Sequence, residues 1–357
     1  MIHSGSFILG DLDRGPLHAA EMGAAFGLRE SAVYDLASLT KVIVTSSLLW
    51  DAFLLQPADL SGFMAQPVRD FLPELRNTWM SDFTLGALWE HRAGLKANLV
   101  FFHPERSLFN GPRGRDFGWQ QILSRILEES PGARAGETLY SDLGFLLLGL
   151  WLERRVGTDL DAQWRSWCAK HWMLPVPPPQ FCRLDGSAPL VSRKVRPTER
   201  RHPVGEVNDD KAFGLHGVAP HAGLFGTVES VFAYLQTVQA LRGREPRFEA
   251  CVRARSQAGR FHAGWDRPQD PRLSHAGADW SSRVVGHLGF TGTAMWWDPA
   301  TLRAGVLLTN RVCPAITESS KQEIRVVRRA LFTHLWSDAY QQPPASLESH
   351  FHRRAQT

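Results

Sequence analysis

Apolar positions are spread unevenly along the chain. The densest run lies in Tyr34–Leu54, YDLASLTKVIVTSSLLWDAFL. There Val42, Ile43, Val44, Leu48, Leu49, Trp50, Phe53 and Leu54 cover most sides of a predicted helix, the pattern of a buried one. Pro57 closes it. A second run, Asp142–Arg155 (DLGFLLLGLWLERR), predicts another buried helix, ended by Gly157. Helical spacing also predicts Trp119–Glu129, Leu160–Trp172, Val228–Leu241 and Ser319–Trp336, and a shorter helix at Thr84–Glu90. Strand signals sit at the two ends. Residues 3–9 and Leu17–Phe26 flank a turn at Gly10–Gly15; 284–294 and 302–310 flank a turn at Asp298-Pro299. Between them, 58–135 alternates short helical runs with Gly/Pro connectors, Phe109–Gly118 reads as a loop, and 174–210 is a long irregular excursion. The expectation is a mixed α/β fold: an antiparallel sheet assembled from both chain ends, flanked by helices, with an inserted all-helical subdomain. As one domain over 1–357, its sheet part covers about 1–60 and 255–340, its helical part about 61–254, and 341–357 is a tail.

Composition narrows the class. With 357 residues the chain can bury a sizeable core, and 13 tryptophans favour a packed interior with apolar clefts. A net charge of +4 is too mild for a nucleic-acid partner. The basic runs Arg325–Arg329 and Ser349–Arg354 read as a helix face and a frayed tail. No run of eighteen apolar residues predicts a membrane span. Cys168, Cys182, Cys251 and Cys313 show no C-x-x-C spacing, which predicts reduced thiols and no zinc site. The start, MIHSGSFILGDLDRG, lacks a basic n-region, a long apolar core and an A-x-A site. As written this predicts a cytoplasmic protein, and an exported one if the chain is a trimmed form.

Chemistry enters at the head of the first helix. Ser38-Leu39-Thr40-Lys41 is an S-x-x-K tetrad, and i,i+3 spacing puts both side chains on one helix face. A lysine held close can help take a serine's proton, and a helix N-terminus favours developing negative charge. By itself the tetrad fits equally an N-cap serine beside a solvated lysine. Tyr140-Ser141-Asp142 opens the second apolar helix; Ser141 or Asp142 caps it, and Tyr140 stands just outside. A tyrosine beside a lysine is biased towards phenolate and can serve as a general base; alone it reads as packing. Val285–Thr293 (VGHLGFTGT) reads as an edge strand whose three glycines mark close approach by a ligand. A backbone N–H there can pair with that of Ser38 as an oxyanion hole. His216 and His221 match no helix-face metal spacing.

In joint presence, order and spacing these motifs resemble the serine β-lactamase and penicillin-binding-protein superfamily, nearest its class C, D,D-peptidase and esterase branch. LASLTK, EHRAGL, YSDLGFLLLG and GHLGFTGT carry the resemblance over roughly residues 3–336. It implies that Ser38 is the acylated nucleophile, Lys41 its proton-managing partner and Tyr140 the general base. It places Asp142 where an Asn usually faces substrate amides. His287 and Gly289 fill the K-T-G strand motif, and Phe290 supplies the second oxyanion N–H. Leu288 stands where a Thr is usual. The resemblance implies no cofactor and no metal. The expected activity is a serine hydrolase forming an acyl-enzyme, most nearly a β-lactamase-related esterase or amidase acting on a small-molecule ester, amide or peptide. The alternatives are a D,D-peptidase or weak β-lactamase, and a catalytically silent ligand-binding member. The Leu288 and His287 substitutions predict neutral esters over substrates ending in a free carboxylate, unless Arg283 or Arg311 compensates. Oligomeric state is not legible.

Overall fold

The computed structural model describes residues 4–22, 32–99, 114–187, 195–199, 203–253 and 259–344. Its ten strands are β1 (Gly5–Asp11), β2 (Gly15–Met22), β3 (Tyr34–Asp35), β4 (Gln180–Phe181), β5 (Leu224–Gly226), β6 (Phe261–His262), β7 (Trp265–Asp266), β8 (Val285–Leu288), β9 (Ala294–Trp297) and β10 (Arg303–Thr309). Seven form one antiparallel sheet in the order β2-β1-β10-β9-β8-β7-β6. β1 lies along β10, Phe7 opposite Leu307, so the two ends of the chain do meet in one sheet. β3, β5 and β4 make a small separate sheet.

Period-two alternation splits the sheet's two faces. Phe7 and Leu9 face the C-terminal helix Glu318–Trp336, packing with Ile324, Val327, Leu331 and Phe332. Ile8 points the other way, into the main core shared with Val42, Leu49 and Trp50 of the first apolar helix. Helix Val228–Arg244 also lies on this side, against β1 and β10. The sheet is therefore covered on both faces, and β1 is buried from Gly5 to Gly10.

The first apolar helix runs over 39–54, with Lys41–Ser46 in the wider π form and Ser47–Leu54 in the α form. It is buried to Phe53 except at Asp51. Leu17–Phe26 is a strand only as far as Met22; 23–26, the tail from 345 and 109–113 of the expected loop lie outside the described residues. The rest of that loop is helical, since Gly114–Leu127 begins five residues before the expected start. Residues 284–294 are not one strand: β8 stops at Leu288, the chain reverses over 289–293, and β9 begins at Ala294. Nor is β8 an outer edge, although β7 pairs with it only at Asp266–Gly286, leaving His287 and Leu288 open on that side.

Helix Asp142–Val156 is buried from Leu143 to Leu152 and ends at Gly157, whose φ of 79° suits a left-handed cap. Its midpoint passes so near Pro220 that a Cβ on Gly149 would stand 2.4 Å from the proline ring. Substituting Gly149→Val should therefore lower unfolding stability by about 1–3 kcal/mol, the cost of overpacking, although glycine is the poorer helix former. Urea denaturation followed by circular dichroism checks this; an unchanged midpoint would contradict the packing.

Candidate active site

The backbone reaches Ser38 by a forced route. Ala37 holds φ at 47°, in the left-handed region uncommon for a residue with a Cβ, and donates its N–H to Asp35 Oδ1 at 2.8 Å. Ser38 follows in the turn that leads into the helix. One turn on, Lys41 Nζ donates to Ser38 Oγ at 2.9 Å, as the i,i+3 spacing predicts. Lys41 is fully buried. It also donates to Asp142 Oδ1 at 2.7 Å and to the His221 carbonyl at 3.4 Å.

Ser141, not Asp142, caps the second helix: its Oγ accepts the Leu143 N–H at 3.2 Å. Asp142 is thereby free to pair with Lys41. Its other oxygen meets Lys211 Nζ at 3.4 Å. Lys211 reaches Asp209 at 3.1 Å, and His221 Nε2 reaches Asp209 at 2.8 Å. The position expected to face substrate amides is thus held in a line of alternating charges, Lys41–Asp142–Lys211–Asp209, which ends on the His221 imidazole. Asp142, Asp209 and His221 have metal-ligand proximity, with ligand atoms within 4.8 Å. Two ammonium groups already sit on their carboxylates, so this donor set does not suit a metal ion.

Tyr140 stands beside both Lys41 and Ser38, with Lys41 Nζ 5.0 Å from its ring centre, and the two side chains both act on its phenol. Its ring packs on His91 at 4.6 Å and Phe261 at 5.7 Å, and His287 lies at 5.9 Å. His91 accepts the Ser141 N–H at Nδ1, which ties the ring supporting Tyr140 to the cap of the next helix. The electrostatics correct one expectation. Desolvation pushes the Tyr140 phenol above its ordinary value; Lys41 pulls it down, but the neighbouring Asp142 charge adds to the rise. Tyr140 is therefore a neutral phenol at rest, not a phenolate. Burial draws the Lys41 ammonium down, but Asp142 and Tyr140 carry it above its usual value. Asp142 is desolvated too, yet Lys41, His221 and Lys211 hold it well below the usual carboxylate range. The resting pair is charged on both sides.

Across the cleft stands the turn after β8. Gly289 N–H donates to the Thr293 carbonyl at 2.8 Å and Gly292 N–H to the Gly289 carbonyl at 3.1 Å. Thr291 Oγ1 donates to the Asp35 carbonyl at 2.8 Å, and Thr293 Oγ1 to the Leu36 carbonyl at 3.1 Å. Two threonines thus fasten this turn to the residues that lead into Ser38. Among the described residues, neither the Ser38 nor the Phe290 N–H donates to a protein acceptor. The glycines are small for a different reason than expected. A Cβ on Gly289 would meet Thr293 Oγ1 at 2.0 Å and Leu36 O at 2.8 Å, so the protein's own atoms take the space, not a ligand.

His287 is buried, and its Nδ1 lies 2.8 Å from the Leu288 carbonyl, so Nδ1 carries the proton and Nε2 is a bare acceptor without a partner. Burial, with Lys41 nearby, pushes its pKa down to about 3. Where the resemblance puts a lysine, this strand offers a neutral acceptor. Ser38, Tyr140, Asp142, His287, Gly289 and Phe290 line one cleft of about 730 Å³, with Lys41 beneath its floor. Arg311 lines the same cleft, over the Phe290 ring at 4.6 Å with Nη1 unpartnered. Arg283 lies elsewhere, beside Arg242 and Glu249. A larger cavity of about 1020 Å³, floored by Met64 and Phe83, contains none of these groups. Asp209, Lys211, Thr291 and Thr293 were not anticipated as site residues, although the two threonines fall in the Val285–Thr293 stretch. Among the described residues no disulfide joins Cys168, Cys182, Cys251 or Cys313, and no helix is long and apolar enough to cross a membrane.

Over 314 residues the chain is 26% identical to the N-acetylmuramyl-L-alanine amidase of Bacillus subtilis (strain 168), covering 80% of this chain and 69% of that one. It is 25% identical over 320 residues to a protein of Escherichia coli (strain K12) provisionally named D-alanyl-D-alanine carboxypeptidase, covering 81% and 71%. The fold matches EstCE1, a hydrolase with promiscuous acyltransferase activity, at a TM-score of 0.62 and 17% identity, covering 92% and 94% of the two chains. It matches the class C beta lactamase from Rhodobacter sphaeroides at 0.59 and 15%, covering 94% and 95%. The family model described as Beta-lactamase matches residues 14–327, and with it the chain belongs to the β-lactamase family, as a hydrolase of the β-lactamase and penicillin-binding-protein superfamily.

Proposed function

We propose that the protein hydrolyses an ester or amide through an acyl-enzyme on Ser38, in the manner of a β-lactamase-related esterase or amidase. The observation that carries this reading is the Ser38 hydroxyl on the Lys41 ammonium, in a cleft that Tyr140 also lines, with the Ser38 and Phe290 N–H groups of that cleft donating to no described residue. Ser38 Oγ bonds to the substrate carbonyl carbon and gives its proton to the Tyr140 phenolate. The carbonyl oxygen takes the negative charge, received by the N–H groups of Ser38 and Phe290. Collapse expels the leaving group, which takes the proton from Tyr140. A water then repeats the sequence on the acyl carbon, and Ser38 recovers its proton. Lys41 stays charged, steadying the phenolate and the nascent alkoxide, and Asp142 keeps it so.

Three outcomes follow from this route. Ser38→Ala should lower turnover by about 10⁴–10⁶-fold, typical for a nucleophile, and abolish labelling by a fluorophosphonate in intact-protein mass spectrometry. Turnover at the native rate in that variant would remove Ser38 from the mechanism.

The reactive form has Tyr140 deprotonated, and its pKa is raised above the ordinary 10. Each pH unit below that value thus cuts the phenolate about tenfold, and kcat/KM should climb with pH through 7–9 at a log slope of about one, with no plateau. Stopped-flow rates on a poorly activated ester report the slope. Tyr140→Phe should flatten it and depress the rate.

Substrate class turns on the strand. His287 offers an acceptor and Leu288 no hydroxyl, so a substrate carboxylate loses a hydrogen bond worth roughly 1.5–3 kcal/mol, about ten- to a hundredfold. A short p-nitrophenyl ester should lead a D-Ala-D-Ala peptide in kcat/KM, and Leu288→Thr should narrow the gap. Arg311 supports a second reading, as a peptidase for free-carboxylate substrates, because it lines the same cleft with its guanidinium over the Phe290 ring. The relatives named as an amidase and a carboxypeptidase lend that reading support. If the peptide leads and Arg311→Ala abolishes its advantage, the second reading holds and the first does not.

A further inference from the structure

Arg328 sits in the middle of the C-terminal helix, 5% exposed. It makes no ion pair with a described residue, and the charge that acts on it is another cation, Arg311. Burial together with Arg311 pushes it down to about 9, so it is still a cation at neutral pH. Its partners are backbone carbonyls of the turn after β8. Nη2 donates to Gly289 O at 2.9 Å and Thr293 O at 2.7 Å, and Nε to Gly292 O at 3.3 Å. A buried cation without a counter-ion is costly, and three neutral acceptors can be satisfied by a neutral donor. The charge therefore calls for an explanation beyond holding the turn.

The Gly289 carbonyl and the Phe290 N–H belong to one peptide group. A cation bound to the oxygen draws electron density from the nitrogen and makes the N–H a stronger donor, as in any chain of hydrogen bonds. The full line is guanidinium, Gly289 carbonyl, Phe290 N–H, and then the oxygen that carries the negative charge. We propose that Arg328 is a positioning residue that strengthens the Phe290 oxyanion donor through the peptide it grips, so that its charge, and not only its hydrogen bonds, supports the reaction. This rests on the reading of Ser38 as the acylated group and of Phe290 as an oxyanion donor.

The experiment compares Arg328→Lys, which keeps a charge, with Arg328→Gln and Arg328→Met, which do not. Each folded variant is mixed with a p-nitrophenyl pivalate labelled with ¹³C at the carbonyl, and the acyl-enzyme is observed by rapid-mixing difference infrared spectroscopy alongside kcat and KM. A weaker oxyanion donor polarises the acyl carbonyl less and raises its stretching frequency. The expected result is a stretch near the native one in the lysine variant and a higher one in both neutral variants. Their kcat should fall about ten- to a hundredfold, below the loss from removing an oxyanion donor outright, with KM little changed. A purely structural clamp predicts that glutamine, a neutral donor, does at least as well as lysine; that outcome, or an unmoved stretch in the neutral variants, overturns the proposal. If neither neutral variant folds, the lysine variant decides alone. Its ammonium loses charge as pH rises, and the acyl carbonyl stretch must climb with it; a stretch constant with pH also overturns the proposal. If the native protein forms no acyl-enzyme on Ser38, the reading beneath falls first, and this inference with it.

Discussion

The Lys41–Asp142 ion pair is the contact on which the site depends. It joins two apolar helices that have little else polar between them, one packed under the sheet and one central to the helical half. Taking either charge out of water alone costs several kcal/mol, and only the partner at 2.7 Å makes it tolerable. The pair therefore sets the register between the helices as well as the charge state of the lysine. Ser38 inherits its orientation from that lysine, and Tyr140, two residues before Asp142, is brought to the same cleft from the other side.

The alternation of sign continues outward through Lys211 to Asp209, which also meets the His221 imidazole. Each charge is flanked by its opposite, so the line is held together without an ion or a cofactor. The cost appears at Tyr140. Asp142 keeps Lys41 charged, which favours a phenolate, but its own charge opposes one at the same distance scale. Asp142 thus favours a firmly charged Lys41 and works against a deprotonated Tyr140.

Much of this was legible in the chain. The two apolar helices, the meeting of the chain ends in one sheet, and the pairing of Ser38 with Lys41 all follow from local periodicity or spacing, and the structure has them. The route by which Phe290 comes near Ser38 was legible only through family resemblance, because 252 positions separate them and no local pattern encodes that distance. The reversal at 289–293 was misread as strand, since its glycines and threonines suit both. What makes it a turn is long-range: Thr291 and Thr293 bonded to residues 35 and 36, and a guanidinium from another helix. The neutral state of Tyr140 was out of reach for the same reason. It balances burial against two charges, Lys41 far away in sequence and Asp142 two residues on.

The order in which the chain is made gives the sheet's topology a further meaning. β1 waits for β10 as its inner neighbour, and Ser38 waits for the 289–293 turn, both supplied by the last quarter of the chain. Contacts of such long sequence separation form slowly and late. A ribosome-bound fragment ending before β8 would hold Ser38, Lys41 and Tyr140 at the heads of their two helices, yet lack the Phe290 N–H and its buried cation. Reactivity would thus arrive as a single event near the end of synthesis, coupled to closure of the sheet.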